Sequence, residues 1–474
     1  MVNWNFIGLA SANILSNSCY SMVVPFLPLE LHKWGLDISI IGYIFSIYSL
    51  AVIFGSPVVG KLLSIVGRKN MLIIGLTSMG CSMIGYGALD MSPNLAVFTF
   101  FSFFFRFTQG CSSCSIQTTS YAIVSLCFPD QQEQYIGYLQ TSIGVGLLIG
   151  PAIGSVLYSL FGFSYTFLIV AAYFLSLVPV MYILIPSSID GNQNTNENST
   201  ATDARVSEYE EITTGAGDTY VGDITFGKLL SIPKFNMAAL SGLMGYFVYC
   251  YFEPVLSFRV ESFGVSPLGI GLFFTIQPAA YILFSVFLPY FTQNVHNRGL
   301  IILGALFSGF ALFFVGPSYA MPNSLKIMML GQLLIGAFGL LLLVPPIPEM
   351  INCASEKYKN RVVDITDISA GVFNSCLGMG QVFGPIYGSN ITKLTDFRIC
   401  SDTVSLILFV YVILYFVIGD GVGLLRNGCK KHVEKEIDVI ATSPVRGINL
   451  RGRGYSTHSR GKFYCYNYHY EYEY

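Results

Sequence analysis

Apolar residues in this chain neither alternate nor recur at the spacing of a water-facing helix. They form continuous blocks of about 20 residues parted by short polar stretches, the length a helix needs to cross a bilayer. Only helices and closed barrels satisfy their backbone hydrogen bonds in lipid, and continuous runs select the helix. The pattern predicts twelve spans, near 6–29, 38–63, 71–89, 95–126, 136–160, 164–186, 235–258, 267–291, 299–317, 325–350, 366–393 and 402–425. The opening MVNWNFIGLA has no basic n-region and no small-residue cleavage site, so helix 1 is expected to stay in the protein. Two stretches break the pattern. Residues 187–232 are polar, acidic and too poor in apolar side chains to build a core, and read as a disordered cytoplasmic linker between six-helix halves at 1–186 and 233–426. Residues 427–474, basic and then rich in Gly, Arg and Tyr, read as a disordered cytoplasmic tail; RNA contact by its Arg-Gly stretch is the alternative to a plain solvated tail.

Charge sets the expected orientation. An even number of spans puts both termini on one side, where 19 Lys and Arg residues fall against five on the other, Arg106 lying inside a span. The positive-inside rule then makes both termini cytoplasmic. Asn198-Ser199-Thr200 matches a glycosylation acceptor but falls on that side.

Composition narrows the function classes. Of 474 residues 53% are apolar and only 11% charged, less than half of the roughly 25% of a soluble domain, so a soluble enzyme is excluded. A net charge of −2 supplies no basic field to hold nucleic acid. The 11 cysteines lack the spacing of a zinc site, and no Gly-x-x-x-x-Gly-Lys-Ser/Thr loop supports direct ATP drive. No cofactor and no metal are expected.

The two halves repeat. GVGLLIGPAIG from Gly144 and GMGQVFGPIYG from Gly378 share Gly-x-Gly-x-x-x-Gly-Pro-x-x-Gly without gaps, at an offset of 234 residues. At an offset of 229, Tyr20, Pro25, Gly35, Gly42 and Phe45 fall on Tyr249, Pro254, Gly264, Gly271 and Phe274. Parallel six-helix repeats around a midplane cavity are an architecture of secondary transporters.

Three motifs in order carry a family resemblance. GKLLSIVGRKN between helices 2 and 3, FRFTQGCSSCS in helix 4 and GVGLLIGPAIGS in helix 5 resemble the loop, Arg-bearing and antiporter motifs of the major facilitator superfamily. CYSMVVPFLP, YFEPVLSFRVESF and LLVPPIPEMINCA look closest to solute carrier family 18, in its vesicular polyamine transporter branch. The resemblance implies an all-α membrane protein of twelve helices. It also implies proton-coupled antiport of a small organic cation, a polyamine or related amine, into a vesicle or other acidic organelle. Two departures stand out: Ser64 occupies a position where the loop motif carries Asp, and Ser16 and Asn17 stand where monoamine carriers have an acid in helix 1.

Several residues invite a role on the substrate and proton pathway. Arg106 is costly inside a span unless it faces a cavity or finds partners, and the resemblance gives it, with Gln109, a part in proton coupling; a tie to backbone carbonyls is the other reading. Glu253 sits in helix 7 among Tyr251, Phe252 and Val255. Proton loss there makes an anion that binds a cation, and proton gain releases it. A helix-end role near the lumen, consistent with Pro254 and Arg259, is the other reading. Glu349 follows Pro345, Pro346 and Pro348 and reads as a second cavity or gate acid, or as an interfacial acid. Asp364, Asp367 and Asp420 read as helix-end acids. Tyr20, Tyr249 and Tyr251 could offer a cation–π surface, with Asn17 nearby.

The remaining motifs are mechanical. Gly146, Gly150 and Gly154, with Pro151, and their counterparts Gly380, Gly384, Gly388 and Pro385, suit close helix approach and rocking. Gly60, Gly67, Arg68 and Lys69 keep the loop motif's glycines and basic pair, and the two cations suit lipid phosphates. The rival functions are an efflux carrier for uncharged or anionic compounds and a receptor or scaffold that has lost transport.

Overall fold

A computed structural model describes residues 4–128, 131–185, 226–358 and 362–419. The described residues are helical with no strand, and helices stand at all twelve expected positions. Seven stretches among them are long and apolar enough to cross a membrane, one of them, Gln134–Leu184, long enough for two spans. Helices 1, 4, 7 and 11 fall outside those stretches because they carry inward-facing polar residues such as Asn13, Ser16, Asn17 and Arg106.

Local chemistry sets where these helices start and break. Asp37 caps helix 2 (Ile38–Val66) by accepting from Ser39 N at 3.0 Å, and Asn94 caps helix 4 (Leu95–Cys127) through Val97 N at 2.9 Å. Gly67, at φ 86°, joins helix 2 to helix 3 (Arg68–Gly87) with one non-helical residue, a conformation that favours glycine. Helices 5 and 6 run as Gln132–Leu184 and turn on Gly162 rather than across the expected gap, with Pro151 inside helix 5. Helix 1 (Trp4–Met22) breaks before resuming as Leu27–Lys33, and helix 7 (Pro233–Cys250) breaks before resuming as Leu256–Glu261. Pro25 and Pro254 occupy those two breaks, where the missing N–H stops a regular helix.

Helix 8 (Pro267–Ser285) and helix 9 (Asn297–Val315) follow. Helix 10 (Leu325–Leu343) continues as Pro346–Ser355 past the proline cluster, and helix 11 is Val362–Leu394. Helix 12 begins earlier than the sequence pattern suggests, at Phe397, because Asp396 caps it. Arg398 therefore lies in its first turn, donating to Ser318 O at 2.9 Å.

Packing repeats the internal symmetry. Helix 1 lies on helix 5 as helix 7 lies on helix 11; the pairs 2 with 4, 3 with 4 and 3 with 6 recur as 8 with 10, 9 with 10 and 9 with 12. Helices 2 and 11, and helices 5 and 8, join the halves. Gly35 and Gly264, matched by the repeat, both turn at positive φ, 90° and 75°. A Cβ at Gly146 or Gly154 would collide with the carbonyls of Ile14 or Met22 in helix 1, and one at Gly380 or Gly388 with those of Leu243 or Tyr251 in helix 7. Between the halves, Gly42 abuts Pro385 and Ser389, and Gly271 abuts Pro151 and Ser155. The two Gly-Pro helices thus touch both their own half and the other one, where small residues permit backbone approach.

Linker positions 187–225, the tail 427–474 and Asp420 lie outside the described residues, as do the side chains of Ser64, Asp364 and Asp367.

Candidate functional site

Glu253 stands in the turn that interrupts helix 7, only 8% exposed. The Tyr20 hydroxyl, from the last turn of helix 1, reaches both carboxylate oxygens, at 2.8 Å and 3.0 Å. This bond crosses between the halves. Nearby, Ser257 Oγ donates to Val24 O at 3.1 Å, the His32 and Phe258 rings meet at 5.3 Å, and Lys393 pairs with Asp37 at 2.7 Å. The end of the bundle that carries the loops after helices 1 and 7 is therefore tied shut.

Below the Tyr20–Glu253 bridge lies a cavity of about 300 Å³. Helix 7 gives it Tyr246, Tyr249 and Cys250 from one helical face, and the turn that follows gives Glu253. Helix 8 adds Phe274, Gln277 and Tyr281, helix 5 adds Gln140 to Pro151, and helix 11 adds Gln381. The Tyr249 ring lies 6.4 Å from those of Tyr246 and Tyr281. An apolar and aromatic wall with one carboxylate is the surface that holds an organic cation.

Arg106 is set behind this wall in the N-terminal half. It is 1% exposed, its Nη1 sits 3.4 Å from Gln109 Oε1, and its Nε and Nη2 have no hydrogen-bond partner among the described residues. Its guanidinium faces the rings of Phe45 at 5.0 Å and Tyr48 at 6.0 Å. Tyr48 in turn packs on Tyr20 at 4.9 Å, so Arg106, Tyr48, Tyr20 and Glu253 form a continuous series across the halves. Gln109 donates to Met83 Sδ at 3.8 Å. Asn17 belongs to a polar seam between helices 1 and 4 instead of the cavity wall: it donates to Asn13 O at 2.9 Å and accepts from Gln117 at 3.3 Å.

Two further residues also lie elsewhere than the cavity wall. Glu349 is fully buried but away from the cavity, at the opposite end of the C-terminal half, where it pairs with Arg298, accepts from Cys353 Sγ at 3.2 Å and lies 3.9 Å from His296. A buried carboxylate needs a cation, and the first turn of helix 9 supplies one. Tyr251 turns away from the cavity, its hydroxyl 3.0 Å from Ser401 Oγ in helix 12, because two residues at about 100° each carry it to the side of the helix opposite Tyr249. Tyr246, Tyr281, Gln277, Gln381 and Tyr48 were not singled out from the sequence; the turn-by-turn spacing of Tyr246, Tyr249 and Glu253 was the available signal.

The loop motif is structural in this geometry. A Cβ at Gly60 would meet nothing within 4 Å, whereas Lys69 is buried with its ammonium 4.1 Å from the Tyr182 ring, tying helix 3 to helix 6. No cluster of three or more metal-ligating side chains occurs among the described residues.

Comparison with known proteins places the chain. The Major Facilitator Superfamily model matches residues 9–252 and 235–423. The human MFS-type transporter SLC18B1 is 27% identical over 402 residues, covering 83% of this chain and 81% of the human one. The multi-drug resistance efflux pump PmrA homolog of Lactococcus lactis is 26% identical over 404 residues, covering 84% of this chain and 91% of the pump. Among solved structures, the nucleoside transporter NupG superposes with a TM-score of 0.64 at 13% identity, over 88% of this chain and 99% of that one. The chain belongs to the major facilitator superfamily and is an integral, multi-pass membrane transporter of small molecules.

Proposed function

We propose that the protein exchanges protons for an organic amine by alternating access, with Glu253 as the group that holds either one. The observation that carries this reading is the bond from Tyr20 to the buried Glu253 carboxylate, which lies at the cavity wall and spans the two halves. One side chain then serves two ends. As an anion it attracts the ammonium of an amine in the cavity; as an acid it releases that ammonium, and either change alters the tie that closes the bundle. Arg106, connected through Tyr48 and Tyr20, supplies a fixed positive charge behind the carboxylate. The Gly-Pro helices 5 and 11, packed backbone to backbone on helices 1 and 7, are the surfaces over which the halves rock.

In the proposed orientation both termini are cytoplasmic and the closed end faces the lumen of an acidic organelle. Protons enter from that lumen, protonate Glu253, displace the amine and leave toward the cytosol. A second reading, efflux of uncharged compounds, is favoured by the largely apolar cavity wall and by the bacterial relatives named as multidrug pumps. The test is uptake of labelled benzyltrimethylammonium and of labelled spermidine into proteoliposomes with an acidic interior, with and without a protonophore. Uptake of either that collapses with the gradient and is lost in Glu253→Gln supports exchange. Uptake indifferent to the gradient or to Glu253→Gln overturns it.

A further inference from the structure

The number of charges on the cation follows from what surrounds Glu253, and rests on the reading of Glu253 as its counter-charge. Among the described residues that line the cavity, Glu253 is the one charged side chain. From this carboxylate the cavity runs past Tyr249 to Tyr246, seven residues back along the chain and on the inward face of helix 7. An ammonium at Glu253 is thus matched, but a second one further along the same molecule reaches Tyr246, Gln140 and Gln381, which carry no charge.

Three acids near the bundle ends hold cations of their own and do not line the cavity. Glu349 holds Arg298, Asp37 holds Lys393, and Glu30 holds Lys33 at 2.8 Å and Tyr158. Arg106 sits behind Tyr48 with a positive charge of its own, so that side of the wall offers no anion to a second ammonium. Aromatic faces soften the loss of water around one cation but do not replace a missing anion, and a charge moved out of water without a partner is strongly disfavoured. The apolar remainder of the wall, Leu147, Phe252, Phe274 and Ile282, instead rewards hydrocarbon or ring surface on the ligand.

We infer that the cavity takes a monovalent amine carrying an apolar or aromatic body and discriminates against diamines and polyamines. This departs from the polyamine expectation drawn from the sequence.

Calorimetric titration of the purified full chain near neutral pH tests it with four probes: hexylamine, hexanediamine, spermidine and uncharged hexanol. The first two share a length and differ by one ammonium. Hexylamine is expected to bind at least about tenfold more tightly than hexanediamine, spermidine more weakly still, and Glu253→Gln to abolish the advantage of hexylamine over hexanol. Gln381→Glu, which adds a second carboxylate to the lining, is expected to shift preference toward hexanediamine. If hexanediamine or spermidine binds as tightly as hexylamine, and does so through Glu253, the single-charge inference is overturned while the exchange reading stands. If no amine binds in a manner that depends on Glu253 in monodisperse protein, the exchange reading fails and the inference with it.

Discussion

Replacing Arg298 exposes the difference between a cavity acid and a structural one. The Glu349 side chain is 1% exposed and that of Arg298 12%, so the pair is largely removed from water. Arg298→Met deletes the cation and leaves a carboxylate buried beside Cys353, at a cost of about 3–5 kcal/mol. Glu349→Gln removes the charge and leaves Arg298 with Glu356 at 3.8 Å, so its cost is smaller, about 1–2 kcal/mol. Combining the two removes both charges, and because a buried pair replaced by neutral groups is often close to neutral in stability, the double variant should recover most of the loss. Thermal unfolding of the detergent-purified protein, followed by fluorescence, reads this order: Arg298→Met lowest, the double variant above it, Glu349→Gln close to wild type. Amine binding should survive in the double variant, since neither residue lines the cavity. Equal stability of Arg298→Met and wild type would refute the pairing argument. Loss of amine binding in a stable Glu349→Gln protein would return Glu349 to the substrate pathway.

Three further outcomes follow from the geometry. Tyr20→Phe removes a charge-assisted hydrogen bond worth about 1.5–3 kcal/mol, so hydrogen exchange at residues 23–33 and 251–264 should quicken, while unchanged exchange would mean the bond does not hold that end shut. Gly388→Val drives a side chain into the Tyr251 carbonyl and should cost about 1–3 kcal/mol in thermal stability or prevent folding, whereas Gly60→Ala should be silent because open space surrounds it. The Lys393 ammonium beside Asp37 holds that carboxyl below its ordinary value. A lowered acid stabilises the closed end above its unfolded pKa and loses that contribution only as pH falls through the lowered value, so the latch should persist at mildly acidic pH. Asp37→Asn should raise exchange at residues 34–38 at neutral pH, and an effect confined to acidic pH would reverse the sign of this argument.

Much of the fold was legible because lipid leaves few choices. Continuous apolar runs specify helices, and the repeated Gly-x-x-x-Gly-Pro pattern announced the helix pairs that pack 5 on 1 and 11 on 7. Glu253 was legible as an acid inside a span and Tyr20 as the repeat counterpart of Tyr249, though the direct bond between Tyr20 and Glu253 joins residues 233 apart and needed the fold. The Arg298–Glu349 pair was hidden for the same reason: it joins the start of helix 9 to the extension of helix 10. Hydrophobicity could not separate Tyr249 from Tyr251: two residues apart on a helix they face opposite ways, and the packing of helix 7 on its neighbours decides which one is inward. Helix boundaries moved where a single residue intervenes, as at Gly162 and Asp396.

The central claim is that one carboxylate trades a proton for an amine. Purified protein in a weakly buffered detergent solution containing a pH indicator, titrated with hexylamine, measures that trade without membranes or gradients. The account predicts proton release that saturates with amine binding at up to one proton per amine, and none from Glu253→Gln. Amine binding with no proton release across the mildly acidic to neutral range, or undiminished release from Glu253→Gln, would contradict it.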